Sequence, residues 1–133
     1  MSRPIITLTT DFGYQDYYVS AMKASILTVN PEVRLLDISH SIPPQDIMAG
    51  AWVLQNAAFM FPEGSIHVGV IDPGVGTTRK PIIVESDGHY FVGPDNGLFS
   101  LVASERAYTA HEITNPKLVS ARISNTFHGR DIF

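Results

Sequence analysis

The chain has 133 residues, 44% hydrophobic and 17% charged, a balance that suits one folded domain with one core and excludes a disordered tract. A net charge of −4 with no cysteine argues against a nucleic-acid surface, which needs an excess of Lys and Arg, and removes disulfides, thiolate nucleophiles and thiolate metal sites. No apolar run approaches the ~20 residues of a membrane span, and the start MSRPIITLTT lacks a signal-peptide core, so a cytoplasmic location is expected.

The elements alternate. PIITLTT is short and β-branched and reads as a strand ending at Asp11 and Gly13. Val19, Met22, Ile26 and Val29 then recur at helical spacing until Asn30-Pro31 stops them. VRLLDIS is a second strand, and SIPPQD a loop whose Asp46 suits an N-cap. Ile47, Ala51, Leu54, Ala58 and Phe61 form a second helical stripe, closed by Pro62 and Gly64. SIHVGVI and PIIVES are further strands, DGHYFVG a turn and a fifth strand, Asn96-Gly97 a turn, LFSLVAS a short helix and AYTAHEI a strand.

Strand-helix-strand-helix-strand predicts an α/β, three-layer domain with a mainly parallel central sheet. Ligands of such sheets gather at the carboxyl ends of the strands. Thr10-Asp11, Ser39-His40 and Asp72 with its glycine loop all fall there.

The loop IDPGVGTTRKP puts Asp72 and Arg79 on two shoulders of a Pro-Gly segment between strands. A nucleotide-phosphate cradle would open a helix and carry Gly-Lys-Ser/Thr, and neither follows here. A plain turn with a solvated Arg79 is the simpler reading of the loop taken alone. Asp11, a carboxylate with acceptors only, suits a ribose cis-diol about as well as an Asx-turn or helix cap. Asp16, just before the helix, is more easily explained as an N-cap. His67, His89 and His111 read as structural. A metal site from Asp11, Asp72 and two histidines has no supporting ligand spacing.

Taken together, TLTTDFG, DISHSIPPQD, FPEGSIHVGVIDPGVGTTR, GPDNGL and FHGRDIF resemble the S-adenosyl-L-methionine hydroxide adenosyltransferases, which are related to the fluorinase and chlorinase enzymes. The resemblance runs over nearly the whole chain. It implies conversion of S-adenosylmethionine and water to adenosine and methionine, without a cofactor or metal. It places a catalytic set on Asp72, Arg79 and His128, ribose binding on Asp11 and a further substrate contact on Asp16. Halide-using relatives carry tyrosine where this chain has Asp72, so the water-using branch fits better. The resemblance also implies that residues 1–133 are an N-terminal domain, that a C-terminal β-barrel domain is absent, and that the full-length protein is a homotrimer. Much of the adenine contact is therefore expected to be absent from residues 1–133.

The chemistry fits those side chains. The sulfonium is a good leaving group, so the difficulty lies with water, whose pKa is about 15.7. Arg79 stays protonated and can hold a developing hydroxide. His128 can accept or relay the proton, and Asp72 can orient Arg79 and the water. The alternatives are a nucleoside-binding module without catalysis, a metal-dependent hydrolase and a halide-using enzyme.

Overall fold

A computed structural model of the chain describes residues 3–71 and 80–114. Among these, β1 (Ile5–Thr10), β2 (Arg34–Ser39), β3 (Ile66–Val70), β4 (Pro81–Ser86), β5 (His89–Pro94) and β6 (Tyr108–Glu112) form one sheet in the order β2-β1-β3-β5-β4-β6. The helices are α1 (Tyr18–Val29), α2 (Ile47–Ala57) and α3 (Ser100–Glu105). Strands β2, β1, β3 and β5 run parallel, whereas β4 is antiparallel to both β5 and β6. The predicted mainly parallel sheet is thus present, with an antiparallel flank.

The layers follow from handedness. The chain steps from β1 outward to β2, then back across β1 to β3. Right-handed crossovers in opposite directions put α1 and α2 on opposite faces. Two core clusters confirm it: Met22 of α1 packs on Leu8, Val68 and Val70, while Leu54 of α2 and Val102 of α3 pack with Ile71, Val84 and Phe91. Leu54 is fully buried, and its truncation to alanine would cost about 2–5 kcal/mol.

Local chemistry explains the boundaries. Asp46 caps α2 as expected, accepting from the Ala49 N–H at 3.0 Å. The predicted stripe overruns at its end. The α-helix stops at Ala57, a 3-10 turn covers Ala58–Met60, and Phe61 is extended, as the residue before Pro62 prefers. Strands β4 and β5 are joined by Asp87-Gly88, both with positive φ (52° and 80°), the backbone of a type I′ hairpin turn. One correction concerns Asp16. The residue preceding α1 is Tyr17, which makes no side-chain cap bond, and Asp16 instead accepts the Tyr17 N–H at 2.8 Å.

No helix among the described residues is long and apolar enough to cross a membrane.

Candidate functional site

The strand order reverses direction at β1, so the crevice between the carboxyl ends of β1 and β3 is the topological switch point. Asp11 follows β1 directly. Val70, the last residue of β3, is the ladder partner of Thr10. The chain therefore enters the segment 72–79 beside Asp11.

Asp11 is neither an Asx-turn nor a helix cap. Its Oδ2 accepts the Gln45 N–H at 2.7 Å, across 34 residues of sequence. Gln45 sits in the left-handed region with φ 63°, which costs a non-glycine residue about 1–3 kcal/mol and persists only where surroundings enforce it. Among the described residues Oδ1 of Asp11 has no hydrogen-bond partner, and each carboxylate oxygen can accept twice. The group retains the acceptors a vicinal diol needs.

Behind Asp11 lies a buried network. His40 is 1% exposed. Its Nδ1 lies 2.6 Å from the Thr10 hydroxyl, and its Nε2 lies 2.7 Å from Asp37 Oδ1. Lys23 of α1 holds the other Asp37 oxygen at 2.9 Å. Burial pushes the Asp37 pKa up, but the hydrogen bonds and charges of His40 and Lys23 outweigh it and hold the group below its ordinary value. An ionised Asp37 only accepts, so His40 Nε2 carries a proton, and a ring with its single proton there takes the Thr10 O–H on Nδ1. The Thr10 oxygen in turn accepts the Phe12 N–H at 3.2 Å. Gly13, at φ 71° where glycine alone is unstrained, donates its N–H to the His40 carbonyl at 2.8 Å. Tyr14 covers the His40 ring edge-on at 5.1 Å.

Asp37 and His40 would face opposite sides of a regular strand. The ladder slips between Leu8 and Thr9, where Asp37 and Ser39 are the successive partners. The extra residue, Ile38, is a bulge that turns both side chains to the α1 face.

A second feature lies at the end of β5. Strands β3 and β4 run in opposite directions with β5 between them, so the segment 72–79 leaves and rejoins the sheet at one rim. Both of its anchors are tied to the β5 loop. Asn96 Nδ2 donates to the Ile71 carbonyl at 2.9 Å, and the Asp95 N–H donates to the Lys80 carbonyl at 2.8 Å. Sequence reasoning read Asn96 only as a turn residue. The Asn-Gly pair signals a turn, and nothing in it signals a bond to a strand 25 residues earlier. A cavity of about 460 Å³ opens between α3 and the β4–β6 flank, with Lys80, Pro94 and Asp95 among its walls. It takes no wall from β1 or β2 and does not include Asp11.

Of the residues singled out from sequence, Asp11 stands at the switch point and Asp16 lies exposed in the loop before α1. Asp72, Arg79 and His128 lie outside the described residues. Among the described residues no three His, Asp or Glu are placed to hold a metal ion. His67 and His89 are structural, as read. His67 Nδ1 meets the Thr7 hydroxyl at 2.6 Å and its Nε2 meets His89 Nδ1 at 3.0 Å, at the amino end of the sheet. Burial, with the neighbouring His89 charge, lowers the His67 pKa to about 4.

The chain is similar to known proteins over nearly its whole length. The model of the SAM hydroxide adenosyltransferase N-terminal domain matches residues 6–133. A protein of Methanocaldococcus jannaschii named (R)-S-adenosyl-L-methionine hydrolase is 48% identical over 97% of this chain and 50% of its own length. A fluorinase of Nocardia brasiliensis is 28% identical over 98% of this chain and 51% of its own. The crystal structure of an uncharacterized conserved protein from Thermotoga maritima superposes with a TM-score of 0.93 at 40% identity, covering 96% of this chain and 50% of that one. The chain spans about half the length of the curated relatives it matches.

Proposed function

Because this chain belongs to the SAM hydroxide adenosyltransferase family through that family's N-terminal domain, we propose that the full-length protein hydrolyses S-adenosyl-L-methionine to adenosine and L-methionine. One observation carries the choice of water over halide. Relatives named hydrolase are 39–48% identical to this chain, whereas those named fluorinase are 28–29% identical.

In this reading the water oxygen attacks the ribose C5′ in line with the C5′–S bond. The bond to oxygen forms, the bond to sulfur breaks, and the electron pair leaves with methionine as a neutral thioether. One proton is released, through His128, to solvent. Arg79 stabilises the hydroxide character that develops on the water, and Asp72 orients both. Asp11 grips the ribose diol and Asp16 adds a substrate contact. Fixing C5′ against the water draws on positional effects that reach roughly 7–11 kcal/mol when ideal. Two features support this use of the rim. Asp11 is held at the switch point by the Gln45 N–H, and both anchors of the segment bearing Asp72 and Arg79 are tied to the β5 loop on the same rim, with Ile71 directly after β3, the strand next to β1.

The same reading makes the full-length protein a cytoplasmic homotrimer that needs no cofactor. The deciding experiment incubates full-length protein with S-adenosylmethionine, with and without chelator, fluoride or chloride, and separates the products by chromatography. Adenosine and methionine in equal amounts, unaffected by chelator, are expected. A halogenated nucleoside as main product, or no product despite nucleoside binding, would overturn the hydrolase.

A further inference from the structure

Asp37, His40 and Thr10 are linked in the order acid, imidazole, hydroxyl, the connectivity of a nucleophilic triad. Thr10 cannot serve as the nucleophile. It is 0% exposed, and its oxygen is already engaged by the Phe12 N–H and by His40 Nδ1. The network does something else. It holds the backbone on both sides of Asp11 through a single residue: the His40 ring bonds Thr10, one position before, and the His40 carbonyl bonds Gly13, two positions after.

We propose that His40 is a positioning residue for Asp11, aiming its carboxylate at the ribose hydroxyls by clamping residues 10–13 to β2; this rests on the ribose-binding reading of Asp11. A loop carboxylate binds a diol well only if its backbone is fixed to about 0.5 Å. Two restraints supply that here. Gln45 holds the carboxylate end at 2.7 Å, and His40 holds the main-chain end. His40 is itself fixed by Asp37, which Lys23 anchors to α1. The chain of contacts thus runs from a half-buried lysine of α1, through a bulged strand, to the substrate side of the sheet.

The test is ribose discrimination in the full-length protein, read by calorimetry as the ratio of adenosine to 2′,3′-dideoxyadenosine affinity. Asp11→Asn sets the scale, because removing a charged acceptor from a hydroxyl pair should cut adenosine affinity about ten- to a hundredfold and barely change the dideoxynucleoside. His40→Phe should lose most of the same ratio and likewise spare dideoxyadenosine. The two amide variants then separate positioning from bulk packing. Asparagine places an amide where Nδ1 was and can still bond Thr10, whereas glutamine reaches only the Nε2 position near Asp37. His40→Asn should therefore keep much of the ratio and His40→Gln should not. If His40→Phe does not fold, Thr10→Val against Thr10→Ser makes the same comparison, with only the valine losing the ratio.

If Asp11→Asn loses the ratio while His40→Phe and Thr10→Val both keep it, the clamp is refuted and ribose binding by Asp11 stands. Equal losses in the asparagine and glutamine variants, or in the valine and serine variants, also refute it. If Asp11→Asn keeps the ratio, the ribose reading fails and the clamp falls with it.

Discussion

Strand β1 carries two threonine–histidine pairs of the same length. At its amino end Thr7 meets His67 Nδ1, and at its carboxyl end Thr10 meets His40 Nδ1, each at 2.6 Å. Both rings are buried. They differ at the other nitrogen. His40 Nε2 faces the carboxylate Asp37, whereas His67 Nε2 faces the ring of His89, stacked at 5.2 Å with Phe91 close by. One imidazole thus faces a carboxylate beside the switch point, and the other is packed in the core. The partner of the distal nitrogen decides the role, and the threonine does not.

The largest effect should come from the rim. In the full-length protein Arg79→Met should lower turnover of S-adenosylmethionine about 10²–10³-fold, the usual loss of one stabilising donor, with little change in KM or thermal midpoint. His67→Leu should lower the midpoint and leave the turnover of the folded fraction unchanged. Steady-state kinetics beside thermal melts check both. Normal turnover in Arg79→Met would remove the chemistry assigned to the rim, and a turnover defect in folded His67→Leu would erase the distinction between the two ends.

Acid should separate the ends next. His67 has a folded pKa near 4 against an ordinary 6.5, so the unfolded chain takes up the proton that the native core refuses. Stability is fully present above pH 6.5 and falls as pH drops from 6.5 towards 4, by roughly 3 kcal/mol. His89, lowered chiefly by burial and raised again by Asp87 and Glu63, acts in the same direction. Asp37 has its pKa depressed below 3.8, so its contribution is present above that pH and is lost only beneath it. The core end should lose stability at a pH where Asp37 is still ionised. Urea unfolding at a series of pH values checks this, and Thr7→Val with His67→Leu should flatten the slope. An unchanged slope in that double variant would mean that the acid sensitivity lies elsewhere.

How far the sequence reached follows from which signals are local. Strand β3, the Asp46 cap and the Asp87-Gly88 turn were legible because each depends on neighbouring residues. Asp11 was placed at the strand end correctly, but its partner Gln45 lies far along the chain and no spacing announces it. The motif DISH hid its own logic. Alternation puts Asp37 and His40 on opposite faces, and only the bulge at Ile38 brings them together. Asp16 was misread because the helix starts one residue later than a capping role requires. The bond from Asn96 to Ile71 depends on β5 inserting between β3 and β4, an order that hydrophobic patterning does not specify.

Thr9 sharpens the comparison with the smallest expected change. It stands between the two pairs on the same strand, 0% exposed, opposite Gly69 on β3, and on the face that Thr7 uses. Among the described residues its hydroxyl has no hydrogen-bond partner. A buried hydroxyl of that kind costs about 1–3 kcal/mol of desolvation. Thr9→Val has nearly the same shape, keeps the β-branch that strands favour, and removes that cost. The variant should be more stable by about 1 kcal/mol, measured by denaturant unfolding, with turnover unchanged. Loss of stability would mean that the hydroxyl is bonded in solution. Loss of turnover would extend the functional rim one residue back along β1, onto the face that otherwise belongs to the core.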